Sequence, residues 1–109
     1  MLFRSLKRLQ STCTQIASVL LDRVNTEGDL PMAGYTHLQS AMPSSAGLWL
    51  AGHAEAFIDN AELAALTVQW LDASPLGTAS GFGVNLKLPR QAVAKELGFS
   101  RMEIGRAHV

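Results

Sequence analysis

The chain has 109 residues, of which 48% are apolar and 17% are charged, and its formal net charge is zero. This composition excludes a disordered chain, and the zero charge gives no electrostatic basis for binding nucleic acid or an acidic membrane surface. Its one cysteine, Cys13, cannot form an internal disulfide, and no apolar run reaches the ~18 residues of a membrane helix. We therefore expect a cytoplasmic protein that does not enter a membrane.

Both ends of the sequence differ in character from the middle. Residues 1–5 (MLFRS) and 103–109 (EIGRAHV) resemble translated sequencing adapters, and we interpret them as artefacts that should be left out of reasoning about the fold. Residues 6–102 are then the informative part. We interpret them as a fragment of a larger helical domain.

The first predicted element is a helix from Leu6 to Val24. Its apolar residues recur at steps of three and four, which places them on one face and predicts packing along another helix. Gly28 and Pro31 are expected to end this helix. Cys13 lies on this face, so we interpret it as a small core residue rather than a nucleophile. The face consists of Leu6, Leu9, Cys13, Ile16, Leu20 and Val24.

A second helix is predicted to begin between Ser40 and Ser45, with Ser40 as its N-cap and Pro43 in its first turn. We expect it to continue to about Asp72. Its apolar residues occupy more than one face, which is typical of a helix buried in a bundle. Many of them are alanines, which allow neighbouring helices to approach closely, so this helix needs partners that the chain does not supply.

The last third of the chain is predicted to be a loop and a short helix. Residues 74–89 contain glycines, with prolines at both margins, and we expect an irregular loop with an extended piece at 84–88. Phe82 is interpreted as an apolar residue of this loop that packs over the helical bundle. A short helix from Arg90 to Leu97 should end at Gly98. The whole is an all-α fold of two long helices and one short helix, joined by glycine-containing loops.

Generic cofactor and metal motifs are incomplete. The glycines at 77, 81 and 83 do not form a dinucleotide-binding or phosphate-binding loop. His53-Ala54-Glu55 has the H-x-E form of a zinc deaminase, but no C-x-x-C is present to complete the site. We interpret His53 as a bundle histidine with a local hydrogen bond. We expect neither a metal nor a cofactor.

The most polar connector runs from Gly34 to Pro43. Thr36 offers a hydroxyl, His37 an imidazole that can exchange a proton near neutral pH, and Gln39 an amide with two donors. Such a cluster suits an anionic substrate, since donors can hold a carboxylate while the imidazole handles a proton. The residues alone leave two readings open, an acid–base or carboxylate site and a structural histidine.

The segment GYTHLQSAMPSSAGLWL resembles a signature region of the argininosuccinate lyase family, within the fumarase/aspartase superfamily. SPLGTASGFG and LPRQAVAKELGF resemble the loop and helix that follow in that family, in the same order. Tyr35 together with the glycine loop favours this family over its relatives, which share the Thr-His pair. Lys87 and Arg90-Gln91 depart from it, because the family often has Pro and Asp-Arg there.

The resemblance implies a β-elimination that splits argininosuccinate into arginine and fumarate, a step of arginine biosynthesis, without metal or cofactor. By family analogy, Thr36 binds a substrate carboxylate and His37 is the acid–base histidine, with Tyr35 and Gln39 in possible supporting roles. His37 could instead orient or activate, because a serine-bearing loop of the family, absent here, is also assigned a proton-transfer role.

The resemblance also implies a homotetramer whose long helices form a central bundle and whose active sites are each built from three subunits. The chain alone is then expected to be inactive. Two alternatives stay open. One is a non-catalytic structural protein of the same fold, like the lens crystallins related to this family. The other is a lyase of the superfamily that acts on adenylosuccinate.

Overall fold

The computed structural model describes residues 2–79 and 83–105. It is mainly helical, which confirms the predicted class, and it divides into two compact units, Met1–Thr67 and Val68–Val109. In chain order the elements are α1 (Leu2–Glu27), β1 (Pro31–Thr36), β2 (Gln39–Ser45), α2 (Ala46–Trp70), β3 (Ala73–Ser74), α3 (Arg90–Glu96) and β4 (Arg101–Met102).

Helix α1 confirms the first predicted helix and is longer than the apolar pattern indicated. It ends where the Gly28 N–H donates to the Val24 carbonyl, at an N···O distance of 3.0 Å. Cys13 and Ala17 are its buried residues, which agrees with the assignment of Cys13 to the core. Leu9, from the same predicted face, stays 51% exposed, so the face is buried mainly at its centre.

The connector after α1 is a β-hairpin, which the all-α prediction did not include. Strands β1 and β2 pair antiparallel, from Pro31 opposite Ser45 to Thr36 opposite Gln39. The predicted helix start is therefore wrong in its details. Ser40 is a strand residue opposite Tyr35, and α2 begins only at Ala46.

The residue that caps α2 is Ser45, not Ser40. The Ser45 hydroxyl oxygen accepts a hydrogen bond from the Leu48 N–H at 3.1 Å, which is the contact expected between an N-cap side chain and the third helical residue. Pro43 lies in β2 opposite Ala33 rather than in the first turn of α2. A two-stranded ribbon has only edge strands, and an edge strand tolerates a proline that cannot donate to the ladder.

The hairpin is not regular. Between Ala33 and Tyr35 the register shifts, so that Ala41 and Met42 of β2 together face Gly34 of β1. A β-carbon on Gly34 would lie 2.6 Å from the Met42 carbonyl oxygen. This β-bulge needs glycine at position 34, and it increases the local twist of the ribbon.

Helix α2 buries only alanines, Ala54, Ala61 and Ala64, in agreement with the small side chains that the sequence places along it. Large apolar residues on its other faces stay exposed, among them Trp49, Leu63 and Trp70. The helix ends at Trp70, close to the predicted Asp72. His53 is exposed, and its ring meets Trp49 edge-on with centroids 5.2 Å apart.

In the second unit, a short parallel pairing joins segments that are far apart in sequence. Ala73 pairs with Arg101 and Ser74 with Met102. Beside this pairing, the Ser100 N–H donates to a carboxylate oxygen of Asp72 at 3.0 Å. Ser74 is fully buried. The Glu103 N–H donates to the Ser74 carbonyl at 3.0 Å, so residue 103, assigned above to an artefact, contributes a backbone hydrogen bond here.

Helix α3 ends as the sequence predicts. Gly98 has φ +78°, the Gly98 N–H donates to the Lys95 carbonyl, and the Phe99 N–H donates to the Ala94 carbonyl at 2.9 Å. This pair of bonds is the Schellman motif that glycine favours. Residues 84–88 form no strand, contrary to the expected extended piece. Phe82 lies outside the described residues.

Among the residues that the structure describes, none of the helices is both long enough and apolar enough to cross a bilayer.

Candidate functional site

The tip of the hairpin is the segment Thr36–His37–Leu38–Gln39. Thr36 and Gln39 form the last pair of the ladder, so His37 and Leu38 make a two-residue turn. Their φ angles are +50° and +65°. Left-handed backbone at both central residues is the mark of a type I′ turn, whose twist matches that of the two strands.

The pairing decides which predicted site residues share a face. Thr36 and Gln39 are directly opposite, so their side chains project from the same face with β-carbons about 5 Å apart. Tyr35 pairs with Ser40, one position further from the turn. Side chains alternate along a strand, so Tyr35 and Ser40 project from the other face.

Of the four predicted site residues, the ladder therefore brings Thr36 and Gln39 together beside His37. It places Tyr35 on the opposite face. All four are exposed. The hydroxyl of Thr36 and the amide of Gln39 therefore share a face next to the turn residue His37, and these are side chains of types that donate hydrogen bonds to a carboxylate and serve in general acid–base chemistry.

The turn holds two residues that ordinarily avoid it. Type I′ turns favour Asn-Gly or Gly-Gly, because a β-carbon makes the left-handed region costly by about 1–2 kcal/mol per residue. Leu38 is 94% exposed, so burial of its side chain within this chain does not offset that cost. Backbone strain of this kind concentrates at functional sites.

Two hydrogen bonds fix the other end of the hairpin to the start of α2. The Ala46 N–H donates to the Leu30 carbonyl at 2.9 Å, and the Gly47 N–H donates to the Gly28 carbonyl at 3.0 Å. The first amides of a helix lack partners inside the helix. Here they bind the residues that precede β1, so the hairpin starts from a fixed base.

Candidates elsewhere in the described residues do not form a second such group. No cluster of three or more His, Cys, Asp or Glu side chains that could hold a metal ion occurs there. His53 contacts Trp49 on the surface of α2. Cys13 is buried in α1.

Sequence reasoning singled out Thr36, His37 and Gln39 from their chemistry, but it did not single out Leu38, the second residue of the turn. The available signal was the spacing, since two residues separate the strand segments 31–36 and 39–45. That signal was weak, because neither residue is a glycine or asparagine. Gly28 and Gly47 were also missed, because their contact joins positions that belong to different predicted elements.

Comparison with known proteins identifies the family. The family model described as "Lyase" matches residues 1–108. An argininosuccinate lyase from Xanthomonas oryzae pv. oryzae (strain PXO99A) is 54% identical over 99 residues, which is 91% of this chain and 23% of the relative.

Two further relatives give the same result. The argininosuccinate lyase of Xanthomonas campestris pv. campestris (strain B100) is 52% identical over 91% of this chain and 23% of its own length. That of Stenotrophomonas maltophilia (strain K279a) is 58% identical over 82% of this chain and 21% of its own length. The chain thus spans less than a quarter of the curated relatives it matches, and it belongs to the lyase family that the matching model describes.

Proposed function

We propose that the protein to which this chain belongs is an argininosuccinate lyase, which splits argininosuccinate into arginine and fumarate by β-elimination. The observation that carries the proposal is the hairpin tip, where a strained two-residue turn presents His37 beside the Thr36–Gln39 pair. Similarity to proteins of that name, at 54% identity over 91% of the chain, supports the choice of substrate.

In the proposed reaction His37 handles a proton. A base removes a proton from the carbon next to a substrate carboxylate, which leaves a carbanion stabilised as an aci-carboxylate. The C–N bond then breaks, and a general acid protonates the leaving guanidino nitrogen. The imidazole of His37 is proposed to be this base, or to position the base if another side chain takes the proton.

Thr36 and Gln39 are proposed to bind the substrate carboxylate. Negative charge accumulates on that carboxylate when the proton leaves, so hydrogen-bond donors fixed in advance stabilise the transition state more than the ground state. The cross-strand pairing of Thr36 with Gln39 supports this role, because it aims both donors from one face. Tyr35, on the other face, is proposed to support the hairpin rather than to touch the substrate.

The tip also needs a covering, which the residues described by the structure do not give it. Tyr35, Leu38 and Met42 are 65%, 94% and 77% exposed, and an open site lets water weaken every donor. We take this exposure, with the exposed apolar faces of α2, as support for a homotetramer in which other subunits complete the site in the cytoplasm. The separate 109-residue chain should then be inactive.

The test uses the complete reading frame that encodes this chain. The purified protein is offered argininosuccinate and adenylosuccinate in parallel, and fumarate release is measured by absorbance. His37→Asn is the test variant, and His53→Asn is its matched control, because His53 is an exposed histidine away from the tip. Loss of a general acid–base residue should lower kcat about 10²- to 10⁴-fold, while His53→Asn should stay within about threefold.

The outcomes separate the competing readings. Turnover of argininosuccinate that collapses only in His37→Asn supports the proposal. Turnover of adenylosuccinate alone keeps the elimination chemistry and overturns the substrate. A folded tetramer that turns over neither substrate overturns the enzyme assignment in favour of a structural protein. If His37→Asn keeps the activity that is expected of the control His53→Asn, His37 takes no part in the reaction.

A further inference from the structure

Two glycines from different elements meet at the base of the hairpin. Gly28 follows α1, and Gly47 is the second residue of α2. A β-carbon on Gly47 would lie 2.9 Å from the Gly28 carbonyl oxygen and 3.0 Å from the Gly28 α-carbon. Both distances are shorter than an ordinary contact between a methyl group and backbone atoms, so this approach needs glycine at position 47.

The same pair carries one of the hydrogen bonds that hold the hairpin. The Gly47 N–H donates to the Gly28 carbonyl at 3.0 Å, next to the bond from the Ala46 N–H to Leu30. The third amide of α2, on Leu48, is taken by the Ser45 hydroxyl. The first three amides of α2 therefore bond to both sides of the hairpin base. Two of them bond to residues before β1, and the third bonds to the last residue of β2.

We propose that Gly47 is a positioning residue, which sets the place of His37 and Thr36 through the base of the hairpin without touching the substrate. This inference rests on the proposed function of those two residues. The hairpin acts as a rigid arm. β1 has six residues, so the tip lies about 20 Å from the base at ~3.4 Å per residue.

The length of the arm converts a small change at the base into a large one at the tip. A β-carbon on Gly47 needs about 0.5 Å more room to reach an ordinary contact with Gly28. Across the ~4.8 Å that separates neighbouring strands, this shift tilts the ribbon by about 6° and moves its tip by about 2 Å. A misplacement of about 1 Å at a reacting group is enough to cost ~10²-fold in rate.

The chain offers a matched control in the same helix. Gly52 is also a helical glycine of α2, but a β-carbon there meets nothing within 4 Å. Gly47→Ala and Gly52→Ala therefore make the same chemical change in the same helix, and only the first adds a β-carbon that meets other atoms. Gly28 itself is unsuitable, because its β-carbon would lie 2.3 Å from the Val24 carbonyl oxygen and would disturb the end of α1.

The experiment measures kcat and KM for argininosuccinate with the complete protein, as wild type, Gly47→Ala and Gly52→Ala, each alone and combined with His37→Asn. We expect Gly47→Ala to lower kcat 10- to 100-fold and to raise KM severalfold, because Thr36 moves with the tip. Gly52→Ala should match the wild type within about twofold. A merely destabilised protein would lose active fraction at unchanged KM.

The combined variants identify the route of the effect. If Gly47 acts through the tip, Gly47→Ala should cost a much smaller factor in the His37→Asn background, because the group that it positions is already gone. An equal factor in both backgrounds, or a Gly47→Ala that matches Gly52→Ala, overturns the inference. Full activity of His37→Asn overturns the proposed function instead, so the two failures are distinguishable.

Discussion

The hairpin tip and the end of α3 both require left-handed backbone, but they obtain it from different residues. At the end of α3 the residue is Gly98, with φ +78°, which has no β-carbon to strain. At the tip the residues are His37 and Leu38, with φ +50° and +65°. The α3 turn is built for stability, whereas the tip keeps a histidine where a glycine would be easier to accommodate. The tip therefore carries backbone strain that the end of α3 avoids, as expected if the proposed role of His37 requires that residue there.

Among changes at the two turns and their flanks, the largest expected effect comes from Leu38→Pro. Proline fixes φ near −65° and drives the preceding residue, here His37, out of the left-handed region. The type I′ turn then cannot form, and we expect fumarate release by the complete protein to fall more than about 100-fold. Steady-state assay with circular dichroism as a folding check measures this. Activity within threefold of wild type would show that the tip does not depend on its turn.

Gly98→Ala introduces strain at the turn that ends α3, where glycine now avoids it. Alanine in the left-handed region should destabilise the protein by about 1–2 kcal/mol, with no change in KM or in kcat per folded molecule. Thermal unfolding and the assay together measure both parts. A change in KM would contradict the comparison, because it would give the α3 turn a role in the reaction.

Ser45→Ala tests the boundary between the hairpin and α2. Removing the Ser45 hydroxyl leaves the Leu48 N–H without its cap, which should cost about 1 kcal/mol of stability. Ser40→Ala is the control, since Ser40 was the cap expected from sequence and lies in β2 instead. Its effect on the unfolding midpoint should be smaller. Equal effects of the two changes would place the cap elsewhere.

The smallest expected effect is that of Leu38→Gly, which removes the strain of the tip at one position. We expect a stabilisation of up to about 1 kcal/mol, reduced by the greater entropy of glycine in the unfolded chain. Activity should stay within about threefold, because the backbone of the turn is preserved. The thermal unfolding midpoint measures the effect on stability, and kcat measures the effect on activity. A large loss of activity would assign a direct contact to the Leu38 side chain.

The sequence predicted elements whose signals are local. The three–four spacing identified α1, and Gly98 identified the end of α3, because a helix period and a left-handed stop depend on neighbouring residues alone. The hairpin was missed because His37-Leu38 is not a usual turn pair, while Ser40 and Pro43 imitate the start of a helix. The β3–β4 pairing was missed because it joins two-residue strands far apart in the chain.

The sequence indicated the chemistry of the candidate site but not its arrangement. Thr36, His37 and Gln39 stood out as donors and a titratable group in one connector. Which of them share a face depends on strand register, which the bulge opposite Gly34 shifts. The alternation of side chains along β1 separates Tyr35 from Thr36, next to which sequence reasoning had grouped it.

The bonds between the first amides of α2 and the hairpin base have a consequence for hydrogen exchange. The amides of Ala46 and Gly47 are protected by the carbonyls of Leu30 and Gly28 rather than by their own helix. Their protection is lost only when the ribbon detaches, so they should exchange at the opening rate of the hairpin and not at the fraying rate of a helix end. Two helical amides thus report how long the hairpin that carries the candidate site stays attached at its base.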